Sequence, residues 1–355
     1  MEFGQNFNES DASDDLQTLP GLISDSVYWH VMGVVLGLDV IIGCFATGAN
    51  IVTIIVYCRM GFADSTTISL TALAISDFLV AATAVNCGLS FILPQVPNAW
   101  FTTGIFMSFA GAPHFALTKT SALITTYLSG ERYLCVLFPL KIRMMFTRFR
   151  TLVAMLIIFV ITLGPTSIVI LNYPMGWMFY PERNRTLLGV LPVDDAILIA
   201  AHAVTRFYFS ILLTLLTFLT VTITTVLLAV SLKKSKAWRD ANRSMAPTHN
   251  GHKNGDAPLS TSELDTKQSK ETKAVKMVIA IATLFIGTNI PISIFVVSTA
   301  VIPGFDVGGQ YDNIYPAMAI ASVMINGINS GANIFIYYNM SSKFKLAMLC
   351  LFRGK

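Results

Sequence analysis

Three long stretches of this chain contain no charged residue, and they constrain its fold more than any other feature. They cover residues 151–181, 277–305 and 313–342, each about thirty residues long. A helix needs only about 20 mostly apolar residues to cross the hydrocarbon core of a bilayer. The whole chain is 54% hydrophobic and 12% charged, whereas soluble domains carry about 25% charged residues. We therefore predict an integral membrane protein.

Seven segments are apolar enough to cross a membrane, and they predict an all-α membrane protein that folds as a seven-transmembrane-helix bundle. The predicted spans are roughly residues 31–57, 67–93, 103–134, 150–173, 197–231, 274–301 and 314–338. They divide the chain into an acidic tail over 1–30, a membrane domain over 31–340 and a C-terminal segment over 341–355. Residues 233–272 are rich in Lys, Ser, Thr, Asn and Gly. Because they offer little apolar surface to bury, we predict that this loop is mostly disordered.

The basic residues predict the orientation. Of 24 Lys and Arg, 20 fall at or between the odd-to-even turns and in the C-terminal tail. Under the positive-inside rule these regions are cytoplasmic. The N-terminus is then extracellular and the C-terminus cytoplasmic, as expected for a multi-pass plasma-membrane protein. Two glycosylation sequons, at Asn8 and Asn184, fall on the predicted outer side and are candidates for modification.

Several polar residues lie inside the predicted spans, where an ionisable group costs about 2.5 kcal/mol or more. Asp77 lies in the middle of the second span. Other polar side chains share this environment: Asn50, Ser121, Asn329, Ser330 and Asn333. Together they predict either an oxygen-lined site for a cation such as sodium, or a hydrated polar network. The alternative is that they form helix-to-helix hydrogen bonds only. No other metal or cofactor is expected.

Four motifs in order resemble the rhodopsin-like, or class A, G-protein-coupled receptors. LAISD resembles a pattern of the second helix, and GERYLCVLFPL resembles the (D/E)RY ending of the third. NSGANIFIY resembles the NSxxNPxxY ending of the seventh helix. SSKFK, followed by LAMLCLF, resembles a short amphipathic helix on the inner membrane face. The resemblance covers most of residues 31–352 and implies a receptor, not an enzyme, in a divergent form.

The resemblance implies roles for residues at the cytoplasmic edge. Glu131 would neutralise Arg132, which precedes Tyr133, and Glu271 at the base of the sixth helix would be a second partner for Arg132. Release of Arg132 would open a cleft for a heterotrimeric G protein. Asn333 and Tyr337 of the seventh helix would take part in this change. Arrestin, a receptor kinase and membrane lipid are further expected partners, whereas nucleic acid is not.

The departures from the family pattern are informative. Met107 occupies the position of the third-helix cysteine, and residues 174–196 contain no cysteine partner for it. The absence of this disulfide predicts a loosely held outer lid. Asn289 replaces the usual sixth-helix tryptophan, and Ile334 replaces the seventh-helix proline. These two changes put the usual activation trigger in doubt.

Two positions disfavour amines and retinal as ligands. His114 replaces the acid that binds amines, and Gly327 replaces the lysine that binds retinal. A peptide or a small polar molecule is therefore expected, as in the invertebrate neuropeptide-type and chemosensory receptors that the chain most resembles. The candidate pocket residues are Asp39, His114, Lys119, His202, Arg206 and Asn289. The two histidines could equally be neutral packing residues. Cys350 is a candidate palmitoylation site.

Three functions other than an activating receptor are compatible with the sequence to different degrees. A decoy that binds ligand without signalling is compatible with Asn289 and Ile334. A seven-span transporter or channel would use Asp77, Lys119 and Asn329 as a path, but the repeats and matched helix breaks typical of transporters are missing from the sequence. A membrane enzyme is disfavoured because no HExxH, GxSxG or paired intramembrane aspartates occur.

Overall fold

The fold is a bundle of long helices with one β-hairpin. The computed structural model describes residues 24–96, 98–138, 142–172, 174–191, 196, 200, 204, 207–245, 261–305, 311 and 313–353. Its long helices are α1 (Asp25–Met60), α2 (Ser65–Ile92), α3 (Thr103–Leu137), α4 (Arg148–Leu171), α5 (Thr214–Met245), α6 (Thr261–Val301), α7 (Ile314–Met340) and α8 (Ser342–Arg353). A one-turn helix, Ile142–Met145, follows α3, and a π-helical stretch, Phe207–Leu213, leads into α5.

Helices α1 to α7 correspond to the seven predicted spans. Six of them (α1, α2 and α4 to α7) are long and apolar enough to cross a membrane. The remaining helix, α3, has 35 residues and is long enough, but it carries Lys119, Glu131 and Arg132. The first ten residues of the predicted fifth span are mostly outside the described residues.

The helices close into a bundle with α3 at its centre. Helix α1 packs against α2 and α7, and α6 packs against α5 and α7, while α3 contacts α2, α4, α5 and α6. Large apolar side chains such as Ile41, Val160 and Leu219 are exposed on the outside of the bundle. Asn50, Asp77 and other polar residues are buried inside it. This distribution is the one expected of a bundle whose outer face contacts lipid.

The segment between α5 and α6 is shorter than the predicted disordered loop over 233–272. Residues 233–245 continue α5 and residues 261–272 begin α6, so only the remaining part of the predicted disordered loop, 246–260, lies outside the described residues. These two extensions contain Lys, Ala, Arg, Glu and Gln, which favour helix. Each continues a helix that already exists, so no new nucleus has to form.

The hairpin consists of β1 (Met175–Tyr180) and β2 (Arg185–Val190), paired antiparallel. Leu188 also pairs with the segment before α3. Its N–H donates to the Trp100 carbonyl at 2.9 Å, and its carbonyl accepts from the Thr102 N–H at 3.0 Å. Arg183 donates to the Pro94 carbonyl at 2.6 Å. All five cysteines are free, so this hairpin is attached by hydrogen bonds and not by a disulfide; that it is loosely held stays a prediction.

We expect Leu188→Pro to loosen this attachment, because proline has no N–H to donate to Trp100. Loss of one such bond costs about 1 kcal/mol, which should speed hydrogen exchange of the Thr102 amide about fivefold. Hydrogen–deuterium exchange on the purified protein measures this rate. Leu188→Ala is the matched control, since it shortens the side chain but keeps the N–H. Equal exchange in both variants would show that the backbone bonds do not hold the hairpin.

Candidate functional site

The start of α2 and the C-terminal part of α3 meet at a buried ion pair. Arg132 Nη2 lies 2.8 Å from Glu131 Oε1, and only 13% of the arginine side chain and 1% of the glutamate side chain are exposed. Ser65 Oγ donates to the same Glu131 oxygen at 2.6 Å, and Arg132 Nη2 also donates to Thr66 Oγ1. The start of α2 is fixed beside them, because the Asp64 carboxylate accepts from the Thr67 N–H at 2.7 Å. The predicted neutralisation of Arg132 by Glu131 is therefore present in the geometry.

Among the described residues, Glu131 is the one acid that forms an ion pair with Arg132. Tyr133 is half-buried at the end of α3, and Glu271 lies in α6 with its side chain outside the described part. Tyr337 is fully buried, and its ring packs against Tyr57 of α1 at 5.5 Å and Phe344 of α8 at 5.6 Å between centroids. In this structure Arg132 is thus bonded to α2 and to its neighbour Glu131, while Tyr337 holds α8 to α1.

A buried hydrogen-bond network joins four helices at mid-depth. Asn50 of α1 donates from Nδ2 to the Ser330 carbonyl at 3.2 Å and to Ser330 Oγ at 3.3 Å. Ser330 Oγ of α7 donates in turn to the Asp77 carbonyl of α2 at 2.6 Å. Three of the polar residues predicted to lie together are therefore in contact, although Asn50 and Ser330 are separated by 280 positions along the chain.

The Asp77 carboxylate is the centre of this network. Ser121 Oγ of α3 donates to its Oδ1 at 2.7 Å, and Asn333 Nδ2 of α7 donates to its Oδ2 at 2.8 Å. The last predicted member, Asn329, accepts instead from Thr288 Oγ1 of α6 at 3.3 Å. Each carboxylate oxygen of Asp77 therefore has a neutral donor from a different helix, an arrangement that favours hydrogen bonding as at least one role for these residues.

Two small cavities lie above and beside this network. The lower one, about 10 Å³, is lined by Asp77, Lys119, Ser121, Asn289, Asn326 and Asn329 among others. The upper one, about 20 Å³, shares Thr118, Lys119 and Asn326 with it and is otherwise bordered by apolar residues and Ser322. Each has about the volume that one water molecule needs. Lys119 borders both, and its Nζ donates to Thr214 Oγ1 of α5 at 2.7 Å.

The remaining candidate pocket residues do not gather in these cavities, with the exception of Asn289. Asn289 borders the lower cavity and donates to the Phe285 carbonyl of its own helix at 2.9 Å. His114 is buried, with Nδ1 lying 3.1 Å from Thr83 Oγ1 of α2. Asp39 is buried between α1 and α2, where neither carboxylate oxygen has a hydrogen-bond partner among the described residues. His202 and Arg206 lie outside the described residues.

The predicted modification sites lie on exposed positions where they are described. Asn184 is exposed at the turn between β1 and β2, whereas Asn8 lies outside the described residues. Cys350 is exposed on α8. The opposite side of that helix packs inward through Phe344, which is fully buried. Helix α8 is therefore amphipathic, as its sequence predicted.

Several partners of the site residues were missed by sequence reasoning. Asn326 lies four residues before Ser330 and seven before Asn333, so helical periodicity could have placed it on the same face of α7. Thr214 and Thr83 gave no such signal, because both lie in spans with many threonines. Ser65 and Thr66 follow the N-cap Asp64, and nothing local marks them as partners of α3.

Comparison with known proteins identifies the family. A family model described as "7 transmembrane receptor (rhodopsin family)" matches residues 48–337, which is most of the chain and includes all the network residues and the ion pair. No curated protein matches the chain significantly. The matched family consists of receptors and not of enzymes, and the apolar helices agree with a multi-pass membrane protein. The chain is a divergent member of the rhodopsin family of seven-transmembrane receptors.

Proposed function

We propose that this receptor binds an extracellular ligand, a peptide or a small polar molecule, and activates a heterotrimeric G protein. The observation that carries this proposal is the ion pair at the cytoplasmic edge. Arg132 is held by Glu131 and Thr66, and a cation that is released from such a pair becomes available to a partner. The pair lies at the end of α3, the same helix that carries Lys119 at the two cavities.

The ligand enters from the extracellular side, above the upper cavity. That cavity is bordered by α3, α6 and α7 through Phe115, Phe295 and Ser322, so a ligand that spreads these helices changes their relation to α3. Lys119 borders this cavity and the lower one, where Asn289 is a second polar residue. Asp39 and His114 belong to a second buried region nearer α1 and α2, and they contact only a ligand large enough to reach it, such as a peptide.

The orientation and the other partners complete the proposal. The N-terminus is extracellular, with glycans on Asn8 and Asn184, and the C-terminus is cytoplasmic. Palmitoylation of Cys350 adds a lipid anchor to α8, which presents Lys343 and Lys345 as exposed basic residues. Serines and threonines in residues 260–272 are the sites for a receptor kinase, and their phosphorylation recruits arrestin.

The experiment compares basal and ligand-driven signalling of variants at the ion pair. Glu131→Gln removes the negative charge that holds Arg132. This destabilises the inactive state, in which the ion pair is intact, by about 1 kcal/mol. Basal nucleotide exchange on a co-expressed G protein should therefore rise about fivefold. Arg132→Ala should abolish both this basal exchange and any response to peptide, amino-acid and odorant-like libraries.

Arg59→Ala is the matched control, because Arg59 is an exposed basic residue at the cytoplasmic end of α1. It should signal as the parent does at equal surface expression. If all three variants match the parent while the protein still binds ligand, the receptor is a decoy and the coupling proposal is wrong. A ligand-dependent current without a G protein would instead identify a channel.

A further inference from the structure

The polar residues around Asp77 predicted either a site for a cation such as sodium or a hydrated polar network, and the charge of a neighbouring residue does not fit a sodium ion. Both carboxylate oxygens of Asp77 already accept hydrogen bonds from the protein, from Ser121 at 2.7 Å and Asn333 at 2.8 Å. Asn333 turns its amide nitrogen towards the carboxylate, and not its oxygen. The hydroxyl of Ser330 is used on the Asp77 carbonyl at 2.6 Å. Each carboxylate oxygen keeps a further lone pair, and Asn333 Oδ1 has no hydrogen-bond partner among the described residues. Oxygen ligands for a hard cation therefore remain, and the local charge decides whether one is bound.

A positive charge is nevertheless present at the same cavity. Asp77 and Lys119 both border the lower cavity of about 10 Å³. The lysine is 7% exposed, and its ammonium makes one hydrogen bond, to Thr214 at 2.7 Å, although it has three donors. A sodium ion in this cavity would share it with the Lys119 ammonium and would be repelled by that charge.

Neither the Asp77 carboxylate nor the Lys119 ammonium has another ion-pair partner among the described residues. Each is therefore the opposite charge that is available to the other. Among the described residues the ion pair between Arg132 and Glu131 is the one found within 4.0 Å. Buried charges inside a membrane protein are stable when an opposite charge faces them. A space of this volume admits about one water molecule, which can bridge a donor and an acceptor at little cost.

We propose that the Lys119 ammonium, acting across this water-sized cavity, supplies the positive charge that balances Asp77 in place of a bound sodium ion. Lys119 is then a built-in cation of the polar network, and the receptor's stability does not depend on the sodium concentration. This inference concerns charge balance and does not require G-protein coupling.

The test measures the thermal unfolding of the purified full-length chain in sodium chloride and in potassium chloride at equal ionic strength. The wild type and Lys119→Arg, which keeps the charge, should melt at the same temperature in both salts. Lys119→Gln removes the charge and opens the site. At a sodium concentration ten times its dissociation constant, this variant should melt about 3 °C higher in sodium than in potassium. Adding Asp77→Asn to Lys119→Gln should remove that difference.

Two results would overturn the proposal. One is a sodium-specific rise in the melting temperature of the wild type that Asp77→Asn abolishes. The other is a Lys119→Gln variant that shows no sodium response, since the lysine would then not be what excludes the ion. If Lys119→Gln fails to fold, the doubly neutral Asp77→Asn/Lys119→Gln variant should recover folding, because it removes both charges. Failure of that rescue would also overturn the proposal. Because the readout is thermal, a receptor that does not signal remains testable.

Discussion

Asp77→Ala is expected to destabilise the receptor by about 3–4 kcal/mol, which corresponds to a fall in melting temperature on the order of 10 °C. The alanine leaves two buried donors, Ser121 Oγ and Asn333 Nδ2, without their acceptor. Each unsatisfied buried donor costs about 1–3 kcal/mol. The substitution also removes the negative charge at the cavity that Lys119 borders. Thermal unfolding of the detergent-purified protein measures the loss.

Asp64→Ala provides the matched control for this loss. It removes a carboxylate from the same helix, but at the N-cap, where the side chain accepts one bond from the Thr67 N–H. A lost N-cap costs about 1 kcal/mol. The expected order of stability is therefore wild type, then Asp64→Ala, then Asp77→Ala. If the two alanine variants melt together, the network at Asp77 contributes no more than a surface cap.

Gly331→Val is expected to separate α1 from α7 at the point where they cross. A Cβ at position 331 would lie 3.0 Å from the Cβ and 3.2 Å from the Cα of Ala46, so the backbone of α1 would have to move. Overpacking of this kind costs about 1–3 kcal/mol. The bonds from Asn50 to Ser330 lie one residue away, and their loss adds to that cost. Thermal unfolding again measures the effect, together with the yield of monodisperse protein.

Gly287→Val isolates the steric effect from helix propensity. Gly287 is exposed on α6, and no atom lies within 4 Å of the Cβ that would be added there. Both variants place the same β-branched residue inside a helix, so the propensity change is similar in each. We expect Gly287→Val to melt close to the wild type. A fall equal to that of Gly331→Val would mean that helix propensity, and not the α1–α7 contact, causes the loss.

The helices and the polar network could be predicted from sequence because their signals are local. Apolar length alone predicted seven spans, and Asp77 or Asn50 inside a span is unusual enough to mark a site. The order of the motifs along the chain then marked the adjacent residues Glu131 and Arg132 as a predicted ion pair. The same reasoning predicted too much disorder between α5 and α6, because composition does not reveal how far a packed helix continues.

The partners within the site could not be predicted, because they depend on how each helix is rotated about its axis. Lys119 reaches Thr214 on α5, 95 positions away in sequence, and many threonines on that helix were equally plausible. The hairpin attachment is a backbone contact of Leu188, to which the side-chain pattern contributes nothing. Tyr337 packs against the rings of Tyr57 and Phe344, and local sequence patterns do not reveal such contacts between helices.

The way in which the β1–β2 hairpin is attached determines how it responds to oxidants and reductants. Its ties to the segment before α3 are hydrogen bonds from Leu188 and Arg183, and the five cysteines are free thiols. Thiol–disulfide exchange therefore has no bond to cleave in this lid. The hairpin can form without an oxidising step, and reductants that break disulfides in other domains are expected to leave it in place.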